Sequence, residues 1–256
     1  MTAGHAGRRV LVTAGAAGIG LAMARAFEAH GARVAVCDLD ADAVNAVPEG
    51  IAGFAADVTD EAAMQAVFDR LDADWGGIDV LCANAGTGGP AGGIGTLDLA
   101  DWRACLSANL DGAFLACRWA APHMVAQGSG TILLTSSTAG LFGYPLRSPY
   151  AVAKWGVIGL MKTLAMELGP SGVRVNALCP GAVEGDRMDR VLANEARARG
   201  ATVDEVREVY VKGVSMKSWV TADEVAAAAL WLASDAAAKV SGLALPVDGH
   251  TETLAP

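Results

Sequence analysis

The sequence predicts one α/β domain, a doubly wound parallel sheet of about seven strands with helices on both faces. Three observations carry this. Short β-branched runs alternate with helical stretches along the whole chain. The first run ends in a glycine cluster that opens straight into a helical pattern. Of the 256 residues, 53% are apolar, many of them Ala, Val and Leu, which suits helices packed on a sheet buried on both sides. A chain of this length buries a large core. No internal repeat or linker divides it, so residues 1–256 are expected to form a single domain.

Composition narrows the function. A net charge of −9 argues against nucleic acid, since phosphate binding needs clustered Lys and Arg, and the pair Arg8 and Arg9 is too small for a basic arm. The five cysteines, Cys37, Cys82, Cys105, Cys117 and Cys179, form no C-x-x-C pair; small buried hydrophobes in a reducing cytoplasm are expected rather than disulfides. The four histidines, His5, His30, His123 and His250, show no metal-ligand spacing, so no metal is expected. No h-region and no long uncharged apolar run is present, which predicts a cytoplasmic protein without a membrane partner.

The elements follow in order. Residues 8–14 predict a strand, and Gly15, Gly18 and Gly20 the turn after it. Residues 21–30 predict a helix with Ala22, Ala26 and Phe27 inward, stopped by Gly31, and residues 33–39 a second strand. Asp40 is the natural cap of a helix over 41–47, which leaves Asp38 at the strand end for other work. A strand over 54–58 ends in Asp57 and Val58, and Thr59 is expected to cap a helix to about residue 75. Residues 78–83 predict a strand, followed by Asn84-Ala85-Gly86 and a glycine-rich loop over 87–95, either a linker or a substrate contact. Residues 99–127 predict a long helix interrupted near Pro122 and carrying the polar Asn109. Residues 130–135 predict a strand that delivers Ser136 and Ser137. Residues 148–168 predict a helix with Pro149 in its first turn, ended by Gly169-Pro170. A strand over 173–178 leads to Pro180-Gly181, a charged helical stretch covers 184–217, Thr221 and Glu224 form a capping box, and residues 244–249 predict the last strand.

The chemistry sits in residues 136–154. Tyr150 and Lys154 lie four apart, on one helix face, and a phenol beside an ammonium is a general acid/base pair. Ser137 precedes Tyr150 by thirteen residues. The Gly15–Gly18–Ile19–Gly20 turn lets backbone approach a pyrophosphate at a helix N-terminus. Asp38, eighteen residues past Gly20, is placed to accept from adenosine ribose hydroxyls and to repel a 2′-phosphate, and no cation among Ala16, Ala17 and Leu39 offsets it, so NAD is favoured over NADP.

This ordered set, Ser-x12-Tyr-x3-Lys with the glycine turn, Asp38, N-A-G and Asn109, resembles the short-chain dehydrogenase/reductase family over nearly the whole chain. The resemblance implies a Rossmann-type fold and catalytic roles for Asn109, Ser137, Tyr150 and Lys154. It implies cofactor contacts at Gly15, Gly18, Ile19, Gly20, Asp38, Asp57, Val58, Asn84, Ala85, Gly86, Tyr150, Lys154, Pro180, Gly181 and Val183. Lys154 would also bond the nicotinamide ribose, and Asn109 would hold a water leading to solvent. The chain departs from the pattern at Ala14, where a glycine is usual, and at Gly185, where a phosphate-binding Thr is frequent. Residues 183–217 match the family's variable substrate lid, and a homo-oligomer, usually a tetramer, is implied.

The expected reaction is hydride transfer between NAD and a small secondary alcohol or polyol with its ketone. Ketoacyl-thioester or hydroxysteroid substrates, or a non-catalytic NAD-sensing scaffold, are the alternatives. Leu141, Phe142, Tyr144, Leu146 and Trp155 are candidates for an apolar pocket. Ser137, Tyr144 and Arg187 are candidates for substrate contact; a solvated helix face is the competing role for each arginine of 184–217.

Overall fold

The computed structural model describes residues 4–252, without the side chains of residues 186, 187, 194, 195, 198 and 199. Strands β1 (Arg9–Thr13), β2 (Arg33–Asp38), β3 (Ile51–Ala55), β4 (Val80–Ala83), β5 (Gly130–Thr135), β6 (Val173–Pro180) and β7 (Ala244–Val247) form one parallel sheet in the order β3-β2-β1-β4-β5-β6-β7.

Side chains alternate across the pleat, so each strand feeds two cores. Leu11, Leu81, Ile132 and Leu134 point to one face. They meet Met64, Phe68 and Leu71 of α3 (Glu61–Trp75), Met124 of α5 (Gly112–Gln127), and Val157 and Met161 of α6 (Ser148–Leu168). Val10, Val12, Val80 and Leu133 point to the other face. There they meet Met23 and Phe27 of α1 (Gly18–Ala29) and Val225 and Leu232 of α9 (Ala222–Ala233). Each such large side chain contributes roughly 1.5–3 kcal/mol by leaving water. The five cysteines are free and buried; burial pushes the Cys37, Cys82, Cys117 and Cys179 thiols up to about 12, so they stay protonated packing groups.

Several boundaries differ from the sequence expectation. The third strand lies three residues earlier, at Ile51–Ala55, and Asp57 and Val58 fall in the turn beyond it. Asp60, not Thr59, caps α3, accepting from the Ala62 and Ala63 N–H groups; Thr59 instead donates to Asp57 Oδ1 from both its N–H and its hydroxyl. The helix over 99–127 is not broken at Pro122, which sits on the exposed side of α5, where the freed acceptor can be hydrated. The break lies upstream: α4 (Leu99–Leu106) passes through a π-turn, Ser107–Asp111, before α5. By contrast, β5 and α6 span the residues expected: Gly130 opens β5, and Pro149 and Gly169-Pro170 mark the two ends of α6.

Between α1 and α9 the chain also forms a short α2 (Ala41–Asn45), capped by Asp40 as expected, and the pair α7 (Asp186–Arg199) and α8 (Val203–Lys212). These last two enclose a separate small core of Leu192, Ala196 and Val206.

Candidate active site

The strand order reverses between β1 and β4, and the carboxyl ends of those strands open the crevice where ligands bind in doubly wound sheets. Asn84 stands there. Its N–H donates to Thr13 Oγ1 at 3.0 Å, its Nδ2 donates to the Thr13 and Ala14 carbonyls, and its Oδ1 accepts from Thr135 Oγ1 at 3.1 Å. The Ala85 N–H adds a second bond to Thr13 Oγ1. The Asn84 amide, expected from the sequence to meet a cofactor, is therefore engaged in clamping β1, β4 and β5 together.

The glycine turn is built for close approach. A β-carbon on Gly15 would lie 2.5 Å from Val36 Cγ1, and one on Gly20 would collide with the Ala14 carbonyl oxygen. Gly18 has φ +51° and Ala14 φ +48°, so Ala14 itself carries the left-handed conformation that a glycine would take freely. Helix α1 begins at Ala17 with no side-chain cap and no acid in its first turn, whereas α3, α4 and α9 begin on Asp60, Asp98 and Thr221. Uncapped N–H groups and the positive end of the helix dipole suit an anion. Ile19, in that first turn, packs against the core on the α1 face.

Asp38 is held at the mouth of this turn, accepting from the Ala16 N–H at 3.1 Å and the Asp40 N–H at 3.2 Å. Leu39 beside it is 71% exposed. The residues present fit a dinucleotide: an anion-ready helix start, a tight turn that admits no β-carbon at Gly15 or Gly20, and a half-buried carboxylate at the second strand end.

Deeper in the crevice three strand-end groups converge on α6. Lys154 is only 4% exposed, and its Nζ donates to the Thr135 carbonyl at 2.9 Å. The Ser136 hydroxyl donates to the Lys154 carbonyl at 2.9 Å, fixing α6 against β5. Lys154 Nζ lies 5.6 Å from the Tyr150 ring centre. Ser137 is half-buried, in extended backbone at the start of the 3₁₀ turn Thr138–Gly140, with its Oγ accepting from the Ala139 N–H.

The π-turn aims Asn109 into the same place. Its Nδ2 donates to the Thr87 and Cys105 carbonyls at 2.9 and 2.8 Å, while its Oδ1 is buried with no partner. A β-carbon on Gly86 would collide with Asn109 Oδ1 and lie 3.2 Å from Lys154 Nζ. An orphaned acceptor and an ammonium thus share one small space. Burial pushes the nearby Cys105 thiol up, with the positive charges of Lys154 and Arg147 pulling the other way.

Other residues singled out from the sequence take mixed positions. Asp57 holds Thr59, and Val58 packs against Gly112 at the start of α5. Pro180 is buried at the end of β6; the Gly181 N–H donates to the Val247 carbonyl, and a β-carbon there would lie 2.8 Å from that of Asp248. Val183 pairs with Val220 and joins the core. Leu141 packs on the main core, Phe142 is half-buried, and Leu146 and Trp155 are 59% and 51% exposed. Tyr144 is half-buried. The Arg187 side chain lies outside the described residues.

Sequence reasoning missed Arg147. Its guanidinium carbon sits 5.6 Å from the Tyr144 ring centre and 5.7 Å from that of Tyr150. Its only signal was position, three residues before the tyrosine in L-R-S-P-Y. Among the described residues no cluster could hold a metal ion, and no described helix is long and apolar enough to cross a membrane.

Known proteins share this architecture. A family model described as enoyl-(acyl carrier protein) reductase matches residues 14–250. D-β-hydroxybutyrate dehydrogenase of Rhizobium meliloti is 34% identical over 252 residues, covering 94% of this chain and 97% of its own. D-threitol dehydrogenase of Mycolicibacterium smegmatis is 37% identical, covering 95% and 92%. NAD+-bound xylitol dehydrogenase superposes with a TM-score of 0.91 at 28% identity, covering 96% of this chain and 99% of its own. The similarity runs almost end to end and spans the crevice, the π-turn and α6 alike: this chain belongs to the short-chain dehydrogenase/reductase family of oxidoreductases.

Proposed function

We propose that the chain is an NAD-dependent dehydrogenase interconverting a small secondary alcohol and its ketone, with Tyr150 as general acid/base. The observation that carries this reading is the buried ammonium of Lys154 set beside the Tyr150 ring and the orphaned Asn109 Oδ1. The substrates after which the relatives are named, a hydroxy acid and two polyols, support the alcohol class.

When bound, NAD supplies the two-electron acceptor for the carbinol hydride. The backbone from Ala14 to Gly20 would hold its phosphates at the α1 start, and Asp38 its adenosine ribose. Asp38 leaves no room for a 2′-phosphate charge, which favours NAD over NADP. Gly86, Gly181 and the Pro180 turn would line the inner end.

Tyr150 takes the alcohol proton during oxidation and returns it during reduction; such transfer is worth ~10²–10⁴-fold. Lys154 places positive charge where negative charge develops on the tyrosine oxygen. Ser137 donates to the substrate oxygen. Asn109 Oδ1 accepts from a water that Lys154 also contacts, and this water carries the proton toward solvent.

Residues 183–217 act as the substrate lid, with α7 and α8 as a unit. The exposed apolar side chains Phe114, Val152, Trp155 and Met166 on α5 and α6 suit a second copy of the chain, in a tetramer in the cytoplasm.

NADH formation across polyols, hydroxy acids, cyclic alcohols and hydroxysteroids, with NAD and NADP in parallel, tests the reading. Turnover of one alcohol class with preference for NAD is expected. Tight NAD binding without turnover of any alcohol would overturn it and favour a sensing role.

A further inference from the structure

Among the described residues, four buried side-chain atoms lack a hydrogen-bond partner: His5 Nδ1, Asn109 Oδ1, Arg147 Nε and Ser148 Oγ. The proposed proton path uses Asn109. Of the other three, His5 lies away from the crevice, against Phe27 and the Leu230 carbonyl, while Arg147 and Ser148 are adjacent in sequence at the start of α6, just before Tyr150.

Arg147 is unlike the other half-buried arginines. Arg8, Arg9 and Arg207 each pair with a carboxylate, and Arg174 is satisfied by the carbonyls of Leu232, Val240 and Ser234 and by the Thr131 hydroxyl. Arg147 makes no ion pair with any described acid. One Nη2 bond to the Gly88 carbonyl, at 2.7 Å, anchors it. The Gly92 N–H donates to the Leu146 carbonyl at 2.8 Å, so the loops on either side are tied together around the guanidinium. A fixed, charged fork with unused donors, within reach of the Tyr150 and Tyr144 rings, is preorganised for an acceptor. Leaving its Nε buried without an acceptor is costly in a structure that satisfies its other half-buried arginines. The molecule is acidic overall, at −9, yet Arg147 and Lys154 both bring positive charge to this end of the crevice.

We propose that Arg147 is a specificity-determining residue that binds a carboxylate on the substrate, so that the preferred alcohols are short hydroxycarboxylates. The proposal rests on the dehydrogenase reading and narrows it from alcohols in general to hydroxy acids. The planar guanidinium matches a carboxylate in two parallel hydrogen bonds, which a lysine cannot reproduce.

The test compares lactate and β-hydroxybutyrate, each beside its own amide, as substrates of the full chain with NAD. The carbinol is unchanged within each pair and only the charge differs. For at least one pair the acid should exceed its amide in kcat/KM by about 10- to 100-fold, as expected of a charge-assisted hydrogen bond. Arg147→Gln should lower turnover of both but collapse the acid-to-amide ratio to about one, and Arg147→Lys should keep part of it. Butyrate, which lacks the hydroxyl, should compete with substrate in the wild type and lose that competition in Arg147→Gln; butyramide should compete in neither.

Equal losses on acid and amide would overturn the proposal and leave Arg147 as a loop pin. Turnover of neutral polyols in preference to either acid would overturn it while the dehydrogenase reading stands. If no alcohol is turned over, that reading fails instead. Calorimetric titration of butyrate into the NAD complex then decides Arg147 alone: binding lost in Arg147→Gln supports it, and no binding to the wild type overturns it.

Discussion

The start of α6 and the α7–α8 pair are built in opposite ways. Lys154 is 4% exposed, its amine bound to Thr135, its carbonyl to Ser136, and its helix packed into the main core. The α7–α8 pair encloses a core of its own, Leu192, Ala196 and Val206. Its ties to the flanking chain include Arg207, which pairs with Glu184 and stacks 4.5 Å over Trp219. Groups that handle protons need fixed geometry, so they sit at strand ends inside the main core. An element with its own small core can open without disturbing them.

The largest expected effect is on the fixed side. Lys154→Met should lower kcat by roughly 10²–10⁴-fold and also lower the melting temperature, because the Thr135 carbonyl loses its donor. A kcat loss without a change in melting would mean the site is less rigidly held than the contrast requires. At the cofactor end, Asp38→Ser with Leu39→Arg should reduce the NAD-over-NADP ratio by about 10- to 100-fold, since it removes a repelling charge and adds a pairing one. Parallel kcat/KM measurements with both cofactors check this, and an unchanged ratio would remove Asp38 from that role.

On the separable side, Arg207→Ala should raise KM several-fold with kcat nearly unchanged. The Glu184 pair is partly exposed and contributes under about 1 kcal/mol, so global stability should scarcely move. Amide exchange should quicken in α7 and α8 but not in β5 or α6; a uniform increase would show that the pair does not open by itself. The smallest effect belongs to Ala14→Gly. Relief of the φ +48° conformation outweighs the added chain entropy only slightly, so a gain of at most about 1 kcal/mol in denaturant melts is expected.

The same contrast separates what was legible in the sequence from what was not. The start of β5 and both ends of α6 were readable because glycine and proline mark them, and the site because Tyr150, Lys154 and Ser137 hold fixed spacings. The π-turn was not, since one extra residue per turn leaves no trace in composition; it surfaces only as Asn109 turned inward with an orphaned oxygen. The clamp that Asn84 forms was not legible either, since its partners Thr13 and Thr135 lie 71 and 51 residues away, beyond any local pattern. Arg147 was hidden for a related reason. A surface arginine and a half-buried, unpaired one look alike until the loops that hold it, at Gly88 and Gly92, are in place.

The most direct test of the account is Tyr150→Phe, measured by NADH formation and by NAD titration on the same preparation. The account predicts turnover reduced by ~10²–10⁴-fold or more with NAD affinity retained, because only the proton-handling oxygen is removed. Normal turnover in the variant would contradict it, and the proton would then have to be carried by a group other than Tyr150.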